Sequence, residues 1–327
     1  MNKSHQEILV EVNNLKMYFP VRRGIFRRKV GEVKAVDDID FTMMRNEILG
    51  LVGESGCGKT TTGRCISRLY KPTSGSIFLE GTEISAMSEK QLKPIRRSIG
   101  IVFQNPYTSM PPGQRVGNII GNPLITYHLT DGTEYKDRIA ELLHSVGLDP
   151  AMANRTLTEL SPGQRQRVAI ARTLAPQPSL VICDDPVSGM DVSVQAQLIN
   201  LLDELQESLG LTCLFLTRDL AMGQYISDRV AVMYSGRIVE LATSRELCEN
   251  PLHPYTRALI SATPVPDPVL ESKRHYTVLP GEAPDPVTPP TGCHFHPRCP
   301  IAVGECHEER PPLREVGVDH YVACIKA

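Results

Sequence analysis

The run Gly53-Glu-Ser-Gly-Cys-Gly58-Lys59-Thr60, set directly after the apolar stretch Ile48-Leu-Gly-Leu-Val52, constrains this chain more than any other feature. It fits G-x-x-x-x-G-K-[ST], and a strand pattern before it with a helical pattern after it turns the motif into a site. The glycines let the loop wrap so that its N–H groups aim at phosphate oxygens, and the following helix adds the positive end of its dipole. Lys59 adds a full charge. Gly53, Ser55, Gly56, Cys57, Gly58, Lys59, Thr60 and Thr61 are therefore assigned to nucleotide binding, with the Thr60 hydroxyl placed on Mg²⁺. A second element, Leu180-Val-Ile-Cys-Asp184, is an apolar strand that closes on a carboxylate suited to the same ion.

Up to Ala262, short β-rich runs alternate with helical patterns: EILGLVG, SIGIVF, SLVICD, LTCLFLT and DRVAVMYSGRIVE. Runs that are apolar on both faces belong to a mostly parallel sheet covered by helices on both sides, so the fold class is α/β. Between Gln104 and Arg172 the strand signal gives way to patterns such as DRIAELLHSVGL, which predicts a helical insertion over about residues 105–172. The basic stretch Val21 to Glu32 is expected to be a solvated loop between two early strands. Twelve of the 26 prolines and four of the nine cysteines fall between Pro264 and Ala327, which marks a boundary near Ala262 and predicts domains at 1–262 and 263–327. No internal repeat is visible.

The balance of 35 basic against 37 acidic residues, a net charge of -2, gives no support for a nucleic-acid partner. No apolar run approaches the ~18 residues of a membrane-spanning helix. The start, MNKSHQEILVEV, alternates like a strand and lacks the features of a secretory signal, so a cytoplasmic location is expected.

Between the phosphate loop and Asp184 lie Gln104, which ends SIGIVF, and Leu160-Ser-Pro-Gly-Gln164, which opens a helix continuing RQRVAIAR. With these the chain resembles the ATPase subunit of an ATP-binding cassette transporter, whose diagnostic signature is L-S-G-G-Q. The resemblance implies a P-loop NTPase cassette with an antiparallel β subdomain and a helical insertion. It also implies a pair of cassettes, each binding ATP between its own phosphate loop and the other's signature. Ser161, Gly163 and Gln164 would then face the partner's γ-phosphate, and Gln104 would sense Mg²⁺ and the membrane subunit. The segment from Ser188 to Asp191 would cross the dimer seam, and Phe19, just before Pro20, would stack on adenine with Tyr18 as the fallback. For either ring the ordinary alternative is a half-buried strand aromatic.

Three positions depart from the family pattern. Asp185 stands where a Glu polarises the attacking water; it withdraws the carboxylate by one methylene, and a misplacement of about 1 Å can cost on the order of 100-fold in rate. Arg218 replaces the switch histidine; it stays charged and can bridge phosphate oxygens, but it cannot act as a neutral imidazole. Pro162 replaces the first signature glycine, a change tolerated in the first turn of a helix. Two outcomes stay open at this level: an attenuated site, making the chain an ATP-gripping regulatory subunit, or drift within tolerance with hydrolysis intact.

After the cassette comes Asn250-Pro-Leu-His253-Pro254-Tyr255-Thr256, then Cys293, Cys299, Cys306 and Cys324 spaced C-x5-C-x6-C-x17-C. The H-P-Y-T run and this tail resemble the C-terminal extension of oligopeptide and dipeptide importer ATPases. In that family the four cysteines are associated with an iron-sulfur cluster, so a four-iron four-sulfur cluster is preferred here. Structural zinc is the alternative, although the spacing lacks C-x2-C pairs, and disulfides rank last. A proline-rich tail of this size builds little apolar core and benefits from such a staple. The family implies a second, different cassette, two transmembrane permease subunits and an extracytoplasmic binding protein as partners. It also implies a peripheral position on the cytoplasmic face of the inner membrane. Dipeptides or oligopeptides are the favoured cargo, with nickel or metal chelates as alternatives.

Overall fold

The computed structural model describes residues 7–24, 28–130, 132, 134–264, 267–273 and 277–327. The chain opens with strands β1 (Ile8–Arg23), β2 (Arg28–Met44) and β3 (Ile48–Val52), then helix α1 (Lys59–Ile66), β4 (Ser74–Leu79), β5 (Thr82–Glu83) and α2 (Glu89–Ile95). It continues through β6 (Ile99–Val102), α3 (Val116–Thr126), α4 (Tyr135–Ser145), α5 (Pro162–Leu174), β7 (Leu180–Asp184), α6 (Val192–Leu209) and β8 (Thr212–Thr217). The remainder is α7 (Leu220–Ile226), β9 (Arg229–Tyr234), β10 (Arg237–Thr243), α8 (Ser244–Glu249), α9 (Pro254–Ala262), α10 (Pro268–Lys273), α11 (Glu305–Glu308), β11 (Arg314–Gly317) and β12 (His320–Val322).

Each strand expected from an apolar run is present. The basic stretch Val21 to Glu32 is a correction, because β1 continues to Arg23 and β2 begins at Arg28. A ribbon open to solvent on its outer face pairs through its backbone and carries Arg and Lys outward, so apolar patterning understates its length. The tip at 25–27 and the first six residues of the alternating start lie outside the described residues.

The described chain divides into two compact units. One contains the residues up to Leu9, Met44–Ile48 and Met87–Phe215. Its strands run β8-β7-β6, with β6 and β7 parallel and Val102 opposite Cys183. The helix α6 buries Leu198, Ile199, Leu201, Leu202 and Leu205, the one-sided stripe of an amphipathic helix, and α3 buries Val116, Ile119, Ile120 and Leu124 in the same way.

The other unit contains Val10–Met43, Leu49–Ala86 and Leu216–Ala327. It holds a four-stranded sheet in the order β2-β1-β4-β5 and a second run β11-β12-β10-β9-β3. There β3 is parallel to β9, and the later pairings are antiparallel. Its core gathers Val52, Val230, Val232, Tyr234, Tyr255 and Phe295, so the proline-rich tail contributes to the same apolar cluster as the strand that feeds the phosphate loop.

Candidate nucleotide-binding site

The phosphate loop leaves the fully buried β3 and ends at Gly58, the N-cap of α1, with φ 114°. A Cβ at Gly58 would lie 2.2 Å from the Ala35 carbonyl oxygen, and one at Gly53 would lie 2.1 Å from the Met233 carbonyl oxygen. Any side chain at either position would displace backbone, so both positions are set by close approach, and Gly58 by its left-handed φ as well. The first turn of α1 carries no acidic residue, which leaves its positive end unopposed toward an anion. Lys59 is buried, and its Nζ donates to the carbonyls of Gly53 (2.7 Å) and Glu54 (2.9 Å), which compensates the burial of the ammonium. Burial also holds the Cys57 thiol above its usual range. Ser55 and Gly56 are exposed, and Thr60 and Thr61 are half-buried.

Phe19 and Tyr18 point to opposite faces of β1, as alternation requires. The Tyr18 hydroxyl donates to Asp37, and its ring lies 5.9 Å from Lys34 Nζ. Phe19 is half-buried and meets Tyr70 edge-on at 5.5 Å. The Tyr18 hydroxyl is thus already engaged, while Phe19 carries no polar group to satisfy. Arg218 is exposed immediately after the buried strand β8.

In the unit that carries β6 and β7, Asp184 ends β7 and is 8% exposed, and Gln104 follows β6. Gln104 Nε2 donates to Asp185 Oδ2 at 3.4 Å, so the structure brings these two sequence-predicted residues together. Asp185 has φ 49°, in the left-handed region where Asp and Asn are the most tolerated residues after Gly, and its carbonyl accepts from Ser188 N–H at 3.2 Å. Ser161 is the N-cap of α5: its Oγ accepts from Gln164 N–H at 3.3 Å while Gln164 Oε1 accepts from Ser161 N–H at 3.0 Å. This is a reciprocal capping box with Pro162 at the first helical position, where a missing N–H costs nothing. Asp191 is the N-cap of α6, and its carbonyl accepts from the N–H groups of Val194 and Gln195.

The sequence comparisons name the family. A profile described as ABC transporter matches residues 36–188, and one described as oligopeptide/dipeptide transporter, C-terminal region, matches residues 239–306. The chain is 49% identical to the oligopeptide transport ATP-binding protein AppF of Bacillus subtilis (strain 168), over 99% of both chains. This chain belongs to the ABC transporter ATPase family. It is also 45% identical to the oligopeptide transport ATP-binding protein OppF of Escherichia coli (strain K12), over 98% of this chain and 97% of that one. Among solved structures, a dimeric post-hydrolysis state of the ATP-binding cassette MJ0796 bound to ADP and Pi superposes with a TM-score of 0.65 at 28% identity, covering 72% of this chain and 99% of that chain.

As an ABC cassette the chain carries features that motif reading missed. Glu54, inside the loop, is fixed by residues of the C-terminal region: its N–H donates to Tyr255 Oη at 3.0 Å, and its carboxylate accepts from Arg298 Nη1 at 3.1 and 3.4 Å. Tyr255 is fully buried against Tyr234 and Phe295, with ring centroids at 4.7 and 5.6 Å. His253 caps the same helix, accepting from Tyr255 N–H at Nδ1, and burial pushes its pKa down to about 3. Glu240, also fully buried, accepts from the N–H groups of Leu252 and His253 and meets His320 Nε2 at 2.8 Å. The sequence signal was the H-P-Y-T run, but its partners lie as far as 201 residues away.

Cys293, Cys299, Cys306 and Cys324 line one small cavity with His253 and His296, and none of them is in a disulfide. Burial, then the neighbouring thiols of the set, raises Cys293; burial likewise raises Cys299, to which Cys324 and Cys306 add. Among the described residues, no group of three or more His, Cys, Asp or Glu side chains stands in an arrangement that could hold a metal ion. Of the other cysteines, Cys183 and Cys213 lie side by side at 3.7 Å within buried strands. No helix among the described residues is long and apolar enough to cross a membrane.

Proposed function

We propose that this chain is the ATP-binding, energy-coupling subunit of a peptide importer. The reading is carried by a complete phosphate loop on a chain that aligns along nearly all its length with a relative named for oligopeptide transport. The loop residues Gly53, Ser55 to Gly58 and Thr61 receive the polyphosphate, Lys59 supplies charge to it, and Phe19 offers the ring for adenine. Thr60, Gln104 and Asp184 are hard oxygen donors of the kind Mg²⁺ takes, so the donor chemistry fits that ion, which when bound neutralises phosphate charge. Asp185 orients the attacking water, and Arg218 holds γ-phosphate oxygens through its guanidinium donors.

Ser161, Gly163, Gln164 and Asp191 serve a second cassette, whose ATP closes the pair. Closure and reopening then move two permease subunits fed by an extracytoplasmic binding protein, and the chain sits on the cytoplasmic face of the membrane. Peptides are the cargo class supported by the named relatives and by the match of the C-terminal region.

The shortened carboxylate of Asp185 and the guanidinium of Arg218 in place of an imidazole slow this chain's own turnover. The paired reversion Asp185→Glu with Arg218→His, assayed in the copurified transporter, is expected to raise ATP turnover about tenfold or more. Turnover left unchanged by the reversion but lost in Lys59→Ala would mean that Asp185 and Arg218 already suffice.

We further propose that the four tail thiols hold an iron-sulfur cluster in a structural role, with zinc as the competing occupant. Support comes from the kind of donor and from their sharing one cavity; against it, no three of these thiols stand in an arrangement that could hold a metal ion, so occupancy requires them to draw together, and no chemical step is assigned to the group. Iron and acid-labile sulfide measured on the same preparation, purified without oxygen, should be present in the natural chain and absent from Cys299→Ser. Zinc in their place overturns the cluster.

A further inference from the structure

We propose that Arg298 and Tyr255, both from the C-terminal region, are positioning residues of the phosphate loop and act through Glu54. The inference rests on the reading of the loop as an ATP site and adds to it a source of control from outside the loop.

Every polar group of Glu54 is engaged. Its N–H is donated to Tyr255 Oη, its carbonyl accepts from Lys59 Nζ at 2.9 Å, and its carboxylate accepts from Arg298 Nη1. The residue that bonds the loop lysine is therefore itself held by two groups from beyond the cassette's motifs. Tyr255 is fully buried, so its hydroxyl is a fixed acceptor, and the Arg298 side chain is only 11% exposed. The Arg298 turn, His296–Arg298, lies between Cys293 and Cys299, and Phe295 beside it packs on Tyr234 edge-on at 5.1 Å. The arginine is thus presented by a packed segment of the tail.

The chemistry gives this contact a consequence for the ligand. A carboxylate inside a loop that receives a polyphosphate repels it, and a guanidinium on that carboxylate cancels the repulsion and fixes the backbone that aims the amides. Removing Arg298 leaves the charge of Glu54 uncancelled within the loop that receives the anion. Removing that charge as well, with Glu54→Gln, makes the arginine dispensable. A purely structural arginine would show no such dependence.

The test uses the full chain and a fluorescent trinitrophenyl-ATP probe with Mg²⁺. Arg298→Ala is expected to weaken probe binding about tenfold, while Arg298→Lys retains most of the affinity. The double variant Arg298→Ala with Glu54→Gln should bind within about twofold of Glu54→Gln alone. Tyr255→Phe, which removes the acceptor while keeping the ring, should weaken binding about threefold to fivefold. In the assembled transporter each loss should appear mainly in KM for ATP, with kcat little changed.

Arg298→Ala binding like the natural chain, or losing the same factor whether residue 54 is Glu or Gln, overturns the proposal. Lys59→Ala separates the two levels: probe binding unaffected by that change defeats the ATP reading itself. Lost binding there, with additive effects at positions 54 and 298, defeats only the positioning role. Should Arg298→Ala not fold, Arg298→Gln against Glu54→Gln gives the same cycle.

Discussion

The phosphate loop and the signature turn are both glycine-containing segments that open a helix, yet they are held in opposite ways. The signature turn makes its capping hydrogen bonds within itself, with only the Val194 side chain close to Gly163: Ser161 and Gln164, three residues apart, satisfy each other's backbone N–H groups, and Pro162 occupies the position where no donor is needed. The phosphate loop is held from outside, by the carbonyls of Ala35 and Met233 against its glycines and by Tyr255 and Arg298 on Glu54. A locally held turn keeps its shape in any environment that allows a helix. A loop held by distant groups has the shape its surroundings impose, and it responds when they move.

The largest effect expected from this contrast is at Gly58. Gly58→Ala would require a φ near 114° and place a methyl 2.2 Å from a backbone oxygen, so it should cost about 3 kcal/mol or more and abolish ATP binding in calorimetric titration. Binding within threefold of the natural chain would break the claim that surrounding backbone shapes the loop.

An intermediate effect is expected from acid. His253, which caps the helix carrying Tyr255, is neutral in the folded chain because burial holds its pKa near 3, whereas in the unfolded chain it titrates near its ordinary 6.5. The unfolded state therefore binds the extra proton between these values. The contribution is fully present above about pH 6.5 and is lost as pH falls toward 3, with a slope approaching ~1.4 kcal/mol per pH unit. Denaturant melts between pH 7 and pH 5 should show this slope, and His253→Asn should flatten it. An equal slope in both chains would remove His253 from the support of the loop.

The smallest effect is at Pro162. Pro162→Gly restores the family residue but adds only an N–H that the first helical turn does not use, so stability should change by less than about 1 kcal/mol and turnover by less than about twofold. A larger change would show that the signature turn depends on more than its own residues.

Much of the fold was legible because buried strands announce themselves as short apolar runs. Ile48–Val52, Leu180–Asp184 and Thr212–Thr217 are buried throughout, as those runs require. The ribbon ends around Arg23 and Arg28 were missed, since a solvent-facing ladder needs no apolar residue to form. The candidate site divides in the same way. Gly53 to Thr61, Asp184 and the helix opening at Ser161 to Gln164 were visible as contiguous patterns. Glu54 was passed over because it is a variable position of the motif, and its meaning depends on a tyrosine and an arginine found 201 and 244 residues away. Phe19 was preferred to Tyr18 from its place before Pro20; that the Asp37 carboxylate takes the Tyr18 hydroxyl was beyond the reach of adjacent letters.

By itself the sequence determined the chemistry within one turn of the chain: which glycines open the loop, which lysine and threonine follow, which strand ends in a carboxylate, and where the signature helix opens. These follow from steric limits and hydrogen bonds between near neighbours, which a contiguous pattern encodes in full. Only the tertiary structure decided what holds Glu54, which cysteines share a cavity, and which buried histidine stays neutral. Those properties arise from burial and from charges brought together across long chain separations, and neither quantity is defined until the chain has folded.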